Sequence, residues 1–238
     1  FDSSKDLFTN LWKGEKIKIF AEYQHRIDLD YKYLFVVGFD IRKSVDIYKN
    51  ITWASRLAGS TNVGTSRLVY YMGGVDNWLF AKFNRNIWVD ITKDYAYQTL
   101  ATNMRGFEQN IRNGTSFILF STELRLPIVQ LLARKKLHSG FLNSIQLIAF
   151  TDIGTAWTGL TPYSEDNCLY TRYIYWGPNQ TNSIKIKRQV EPFIIGFGSG
   201  LRATVLGYFI RLDYAWGLED FKIYDKKGMF LFSVGFDF

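Results

Sequence analysis

The side chains that most often do chemistry in proteins are few in this 238-residue sequence and lie far apart along it. His25 and His138 have no metal-ligand spacing, and Cys168 is the single cysteine. Metal sites and catalytic cysteines need neighbours of the right type, which these positions lack. Glu165 and Asp166 stand together in a polar stretch and are interpreted as part of a solvated loop. The sequence therefore predicts no enzyme, no catalytic residue, no metal site and no cofactor.

The composition favours strands and turns over helices. Aromatic residues make up 18% of the chain, and no apolar run approaches the ~18 residues of a transmembrane helix. The formal charge of +7 could suit nucleic acid, but the Lys and Arg residues are scattered between the segments rather than clustered on one. Nucleic acid is therefore not among the predicted partners, and the predicted class is all-β.

Alternation of apolar and polar side chains recurs along the chain and predicts strands with two different faces. The predicted strands are 17–25, 33–42, 51–58, 67–73, 118–126, 145–157, 193–203, 208–216 and 230–238. Most are near the ~9–11 residues that cross a bilayer at a tilt, against ~5–6 in globular sheets. The pattern favours an antiparallel transmembrane β-barrel, of which residues 1–238 would supply about nine strands at the C-terminal end.

The connections between these strands offer a second test, because outer-membrane barrels keep short turns on the periplasmic side and long loops outside. Counting back from Phe238 predicts external connections at 218–228, 158–189, 74–114 and 44–49, and periplasmic ones at 204–207, 128–142, 60–66 and 27–32. The long connection 74–114 is thus a predicted extracellular loop. An odd number of strands does not close such a barrel, so further strands are expected before Phe1.

The last predicted strand places an apolar residue at every second position up to the final residue. These residues are Phe230, Phe232, Val234, Phe236 and Phe238. The pattern resembles the C-terminal β-signal by which the outer-membrane assembly machinery recognises client barrels, and an amphipathic edge strand can be read by strand addition. An ordinary edge strand of a soluble sheet is the alternative, although such an apolar edge would favour aggregation.

A second motif lies within 74–114 and on the two strands that follow it. Met104-Arg105-Gly106-Phe107 stands in the loop, Glu123 on the next strand, and Phe150-Thr-Asp152-Ile-Gly154 on the strand after. With Gly196-Phe-Gly198-Ser-Gly200-Leu-Arg202 further on, the chain resembles the BamA/TamA superfamily, also called the bacterial surface antigen family, over roughly residues 50–238, and in particular a Bacteroidetes subset of it.

The resemblance implies a barrel of about 16 strands in the bacterial outer membrane, with the long loop folded inward. By resemblance, Arg105 of the tip Arg105-Gly106-Phe107 would meet the acidic residues Glu123 and Asp152 inside the barrel. Alternation agrees, because Glu123 and Asp152 both lie opposite the apolar face of their strands. A guanidinium between two carboxylates makes strong, charge-assisted hydrogen bonds.

The glycines at every second position of 196–200 predict a strand with no side chains on one face over this stretch. A glycine in a strand interior leaves room for close approach of another segment. Gly196, Gly198 and Gly200 share a face of their strand, so we expect an inserted loop or a kink there.

The resemblance also implies the function: insertion and assembly of outer-membrane proteins, or translocation of polypeptides. Expected partners are outer-membrane lipid and lipopolysaccharide, client or partner outer-membrane or secreted proteins, and the other subunits of a larger membrane complex. One alternative is a passive channel or a structural membrane anchor for a partner complex, without insertase activity. Another is a soluble all-β binding or hydrolytic module, which would need no detergent.

Overall fold

The computed structural model of the chain describes residues 1–8, 11–25, 31–48, 51–89, 93–132, 139–165, 167, 169–176, 182–187 and 190–235. Strands hold 64% of the described residues and helices 5%, so the fold is all-β. The strands are β1 (Lys5–Phe8), β2 (Leu11–His25), β3 (Tyr33–Tyr48), β4 (Ile51–Gly64), β5 (Arg67–Met72), β6 (Tyr95–Leu100), β7 (Arg112–Gly114), β8 (Ser116–Leu126), β9 (Gln146–Trp157), β10 (Thr171–Trp176), β11 (Asn182–Lys187), β12 (Ile194–Val205), β13 (Tyr208–Glu219), β14 (Lys222–Ile223) and β15 (Met229–Gly235). The helices are α1 (Ile128–Leu132) and α2 (Gly140–Ser144).

Ten strands form one antiparallel sheet. Its order is β1-β2-β3-β4-β8-β9-β12-β13, and β13 pairs on its other side with β14 and β15. A separate three-stranded sheet has the order β6-β5-β7, in which β5 and β6 run parallel, and β10 pairs with β11. All predicted strands except 67–73 are confirmed within the ten-stranded sheet, although residues 236–238 lie outside the described part of the chain.

The prediction that 67–73 crosses with the other strands is wrong. This segment forms β5 of the small sheet, and the next strand to pair with β4 is β8. Both faces of β5 are buried, at Leu68, Tyr70 and Met72 on one side and at Val69 on the other. Leu68, Tyr70 and Met72 pack in one core with Phe117 and Leu119 of the large sheet. A nearly continuous apolar run is what such a position requires, and the sequence pattern alone does not separate it from a membrane-facing strand.

Removing β5 from the count also corrects the predicted ends of the earlier connections. Leu34 lies opposite Gly64 and Thr61 opposite Ser116, so these strand ends meet at the same end of the sheet. Connections 26–32, 65–115, 158–193 and 220–228 leave from that end, and 49–50, 127–145 and 206–207 leave from the other. The predictions therefore place the connections 27–32, 44–49 and 60–66 at the wrong end of the sheet. With the correction, the two-residue connections 49–50 and 206–207 leave from the same end of the sheet.

The two faces of the large sheet differ. On β8, Phe120 and Leu124 are exposed, whereas Leu119, Glu123 and Arg125 between and beside them are buried. We call the two sides the exposed face and the covered face. Exposed apolar residues continue across the sheet at Ile19, Tyr23, Phe35, Val37, Ile41, Val45, Trp53, Val63, Phe120, Leu124, Ile153, Leu201, Tyr208, Tyr214 and Phe230. In the part of the chain that the structure describes, no helix is long and apolar enough to span a membrane.

Candidate functional site

The connection 65–115 lies on the covered face of the large sheet. Asn62 of β4 fixes both of its ends, since the side-chain amide donates to the carbonyl oxygens of Leu68 (2.9 Å) and Thr115 (2.7 Å). The Leu68 amide donates back to the Asn62 Oδ1 at 2.9 Å. A buried asparagine side chain that bonds three backbone groups in this way pins the connection to the sheet.

A hydrophobic core forms where this connection meets the sheet. Phe107, Met72 and Met104 from the connection are fully buried in it. The cluster also contains Leu34, Val36, Ala58, Leu68, Tyr70, Ile111, Phe117, Leu119, Ala156 and Ile194, which come from β3 to β12 of the large sheet and from the connection itself. The part of the connection that carries Met72, Met104 and Phe107 is thus packed into the core of the protein.

Arg105 lies at this tip and binds both predicted acidic residues. Its Nε and Nη2 atoms donate to the two carboxylate oxygens of Asp152, each at 2.7 Å, and its Nη1 donates to Glu123 Oε1 at 2.5 Å. The backbone amide of Arg105 also donates to Asp152 Oδ2 at 3.2 Å. All three residues are buried. The structure therefore brings together Arg105, Glu123 and Asp152, and we call this contact the loop lock.

Two further side chains complete the seat of the guanidinium. Ser121 donates to Asp152 Oδ1 at 2.5 Å and accepts from Arg105 Nη2 at 3.2 Å. The ring of Phe150 lies 3.6 Å from the Arg105 Cζ, a distance typical of cation–π contact. Sequence reasoning gave no role to these two residues, although their alternation with Thr122 and Thr151 places them on the covered face.

The loop lock belongs to a wider network of buried charges. Arg125 donates to Glu123 Oε2 at 3.0 Å, and Arg202 donates to Asp213 Oδ1 at 2.6 Å. Arg202 Nη2 also lies 3.9 Å from Glu123 Oε1. Every one of these residues is on the covered face, so opposite charges from β8, β12 and β13 compensate one another there.

Burial and neighbouring charge act in opposite directions on Arg105. Burial disfavours its charged form, but the carboxylates of Asp152 and Glu123 outweigh that effect and raise its pKa above the ordinary value. Removing one partner of a buried ion pair typically costs about 3–5 kcal/mol, because the other charge is left uncompensated. We therefore assign the loop lock a structural role, which is to hold the loop in position.

Glycines make the close approach possible. A Cβ at Gly196 would lie 1.9 Å from the Arg105 carbonyl oxygen, and one at Gly217 would lie 2.5 Å from the Phe107 ring. Gly106 itself has φ +90° and would place a Cβ 2.5 Å from the Trp216 carbonyl oxygen. The expectation that glycines in 196–200 make room for a loop is thus met at Gly196.

Arg112 is a second anchor of the connection that sequence reasoning missed. It is buried and donates to the carbonyl oxygens of Pro192 (3.1 Å) and Glu191 (3.0 Å) and to Glu219 Oε1 (2.7 Å). These contacts tie the end of the connection 158–193 and the end of β13 to 65–115. No periodicity marked Arg112, because β7 has only three residues.

The residues of the predicted C-terminal signal share one face where they are described. Phe230 is exposed, and Phe232 and Val234 are half-buried on the same exposed face of β15. Phe236 and Phe238 lie outside the described residues, as do His138, Asp166 and Cys168.

Comparison with protein-family models found no match, and none of the curated protein sequences matched the chain either.

Proposed function

We propose that this chain is the C-terminal part of a transmembrane β-barrel in a bacterial outer membrane, related to the BamA/TamA superfamily. The barrel would act in insertion and assembly of outer-membrane proteins or in translocation of polypeptides. The observation that carries the proposal is the loop lock, in which Arg105 of a long connection binds Glu123 and Asp152 on two adjacent strands. The resemblance implies this same arrangement for a loop folded into the barrel.

The exposed face supports the membrane part of the proposal. Soluble monomers rarely expose contiguous apolar patches above a few hundred Å², whereas barrels alternate lipid-facing apolar residues with inward polar ones. On β8, exposed Phe120 and Leu124 alternate with the buried charged residues Glu123 and Arg125. The strands are long enough, since β3 has 16 residues and β4 has 14, against ~9–11 needed to cross at a tilt.

The reach of the connection 65–115 supports a curved sheet. The Tyr70 hydroxyl forms a hydrogen bond with the Ser60 hydroxyl of β4 at 2.8 Å. Trp78 forms a β-bridge with Ser233 of β15. In a flat sheet β4 and β15 would be about 24 Å apart, from five strand spacings of ~4.8 Å. The segment between the two contacts turns at Gly73 and Gly74, where φ is positive, so it is not extended. A sheet that curves around the connection accommodates both contacts.

In the proposed mechanism β15 provides one side of a seam, meaning the junction between the first and last strands of the closed barrel. Its edge on β13 is paired over Met229–Gly235. The opposite edge of β15 would offer backbone groups to an incoming strand, and alternating side chains would fix the register. The barrel would thus act by binding and conformational change.

An insertion assay tests the proposal. The protein is reconstituted in phospholipid vesicles, an unfolded eight-stranded barrel is added from urea, and its folded, heat-modifiable form is followed by gel mobility. We expect faster folding than in vesicles holding an equal amount of an unrelated barrel. Equal rates, together with a steady ion conductance or a stably bound partner, would favour the alternative of a passive channel or membrane anchor.

A further inference from the structure

The free edge of β15 is partly occupied by the connection 65–115. On one side β15 pairs with β13 through the register Phe209↔Gly235 to Ala215↔Met229. On the opposite side Trp78 forms an antiparallel β-bridge with Ser233, and the Leu79 amide donates to the Phe232 carbonyl oxygen at 3.0 Å. Residues 77–79 therefore stand where a neighbouring strand would stand, and we call them the edge cap.

The edge cap has the side-chain pattern of a strand in the large sheet. Trp78 lies opposite Ser233 on the covered face and is 8% exposed, whereas Leu79 lies beside Phe232 and is 55% exposed. Inward and outward positions thus alternate along the cap as they do along β15. Leu79 extends the exposed apolar face by one position beyond the last strand.

The cap is seated by its neighbours. Trp78 belongs to the buried cluster that includes Val75, Phe150, Met229 and Leu231. A Cβ at Gly235 would meet the Asn77 side-chain nitrogen at 2.9 Å, so Asn77 lies directly against the end of β15. Asn77 has φ 53°, a conformation that asparagine tolerates better than most residues, and it turns the chain into the cap.

In backbone pairing, the cap is held far more weakly than β13 holds β15. The β13–β15 register runs through seven residue pairs, whereas the cap is an isolated bridge. An incoming strand that paired along the whole free edge would replace one backbone hydrogen bond with several. The cap is therefore the part of this junction that yields first.

We propose that residues 77–79 are a displaceable internal strand that covers the C-terminal half of the β15 edge, Phe232–Gly235. Any strand that pairs with Phe232–Gly235, from this chain or from another polypeptide, must first displace them. The inference concerns edge pairing alone and needs no insertion activity, so its test can fail while the proposed function stands, and the reverse.

A reversible disulfide tests the proposal. In a Cys168→Ser background, Asn77→Cys and Gly235→Cys should form a disulfide in the folded protein. The probe is a synthetic peptide with the sequence of β13 (208–219) and a photo-crosslinker at the Arg211 position, which lies opposite Ser233 in the β13–β15 register. Crosslinks to 232–235 are counted by mass spectrometry. We expect the oxidised protein to be labelled at least about tenfold less than the same protein after reduction, because a tethered segment competes at high effective concentration.

A second pair of variants needs no disulfide. Leu79→Pro removes the amide that donates to Phe232, and Leu79→Ala keeps it as the matched control. Loss of one net hydrogen bond should raise peptide labelling of 232–235 by about fivefold in L79P and leave L79A close to the parent protein. Equal labelling of L79P and L79A, or of the oxidised and reduced disulfide variant, would overturn the proposal.

Discussion

The carbonyl oxygen of Arg105 occupies the space that a side chain at Gly196 would need: a Cβ there would lie 1.9 Å from it. Because the backbone oxygen cannot rotate away as a flexible side chain could, the loop tip and β12 fit together only with glycine at this position. This relationship couples a strand of the large sheet to the position of the loop.

Gly196→Ala should therefore push the loop tip out of its seat. We expect a loss of about 1–3 kcal/mol in the free energy of unfolding, the usual cost of overpacking a core, and faster trypsin cleavage at the exposed Lys82 and Arg85. Urea unfolding in detergent and limited proteolysis measure the two effects. Gly140→Ala is the matched control, since nothing lies within 4 Å of a Cβ there. Equal behaviour of both variants would contradict the close fit.

Arg105→Ala should destabilise the protein strongly. It leaves Glu123 and Asp152 buried with less positive charge nearby, for which we expect a loss of about 3–5 kcal/mol. Arg105→Lys keeps the charge but not the fork that serves both carboxylates, so it should lie between Ala and the parent. Denaturant unfolding of the folded, heat-modifiable form gives the values. If Lys and Ala were equally harmless, the lock would not hold the loop.

A double-mutant cycle isolates the Arg105–Asp152 contact. Arg105→Met and Asp152→Asn should each destabilise, but the double variant should lose less than their sum, with a coupling of about 0.5–3 kcal/mol. Arg105→Met combined with Glu219→Gln is the control, because Glu219 pairs with Arg112 instead. Additive effects in both cycles would show that the two lock residues do not interact.

The exposed face can be tested by a single charge. Phe120 is 42% exposed on β8, and Phe120→Lys should lower the yield of folded protein in vesicles, because Lys near the middle of a bilayer costs about 2–4 kcal/mol. Leu160→Lys, at a position 98% exposed outside the strands, is the control and should fold normally. Were both tolerated alike, Phe120 would face water rather than lipid.

The extent to which the sequence predicted this structure follows from periodicity. Strands with one exposed and one covered face alternate, so β3, β8 and β13 could be predicted from their residues alone. β5 could not be assigned correctly, because it is buried on both sides and its apolar run carries no face. That one strand also reversed the predicted ends of the earlier connections.

The candidate site shows the same limit. Glu123 and Asp152 could be placed on the covered face because they alternate with apolar residues, and the resemblance supplied Arg105. Arg112 and Trp78 could not be found, because a three-residue strand and a segment outside the strands show no period. Their partners, Glu219 and Ser233, are also distant in sequence.

The most direct test of the central idea is the accessibility of β8 in lipid vesicles. In a Cys168→Ser background, single cysteines at 117–124 carry a nitroxide spin label, and collisions with oxygen and with a water-soluble nickel chelate are measured. We predict a period of two, with oxygen favoured at Ile118, Phe120, Thr122 and Leu124 and neither reagent reaching Leu119, Ser121 and Glu123. Uniform access of the nickel chelate to the first set, or no alternation at all, would contradict a lipid-facing sheet around an inward loop.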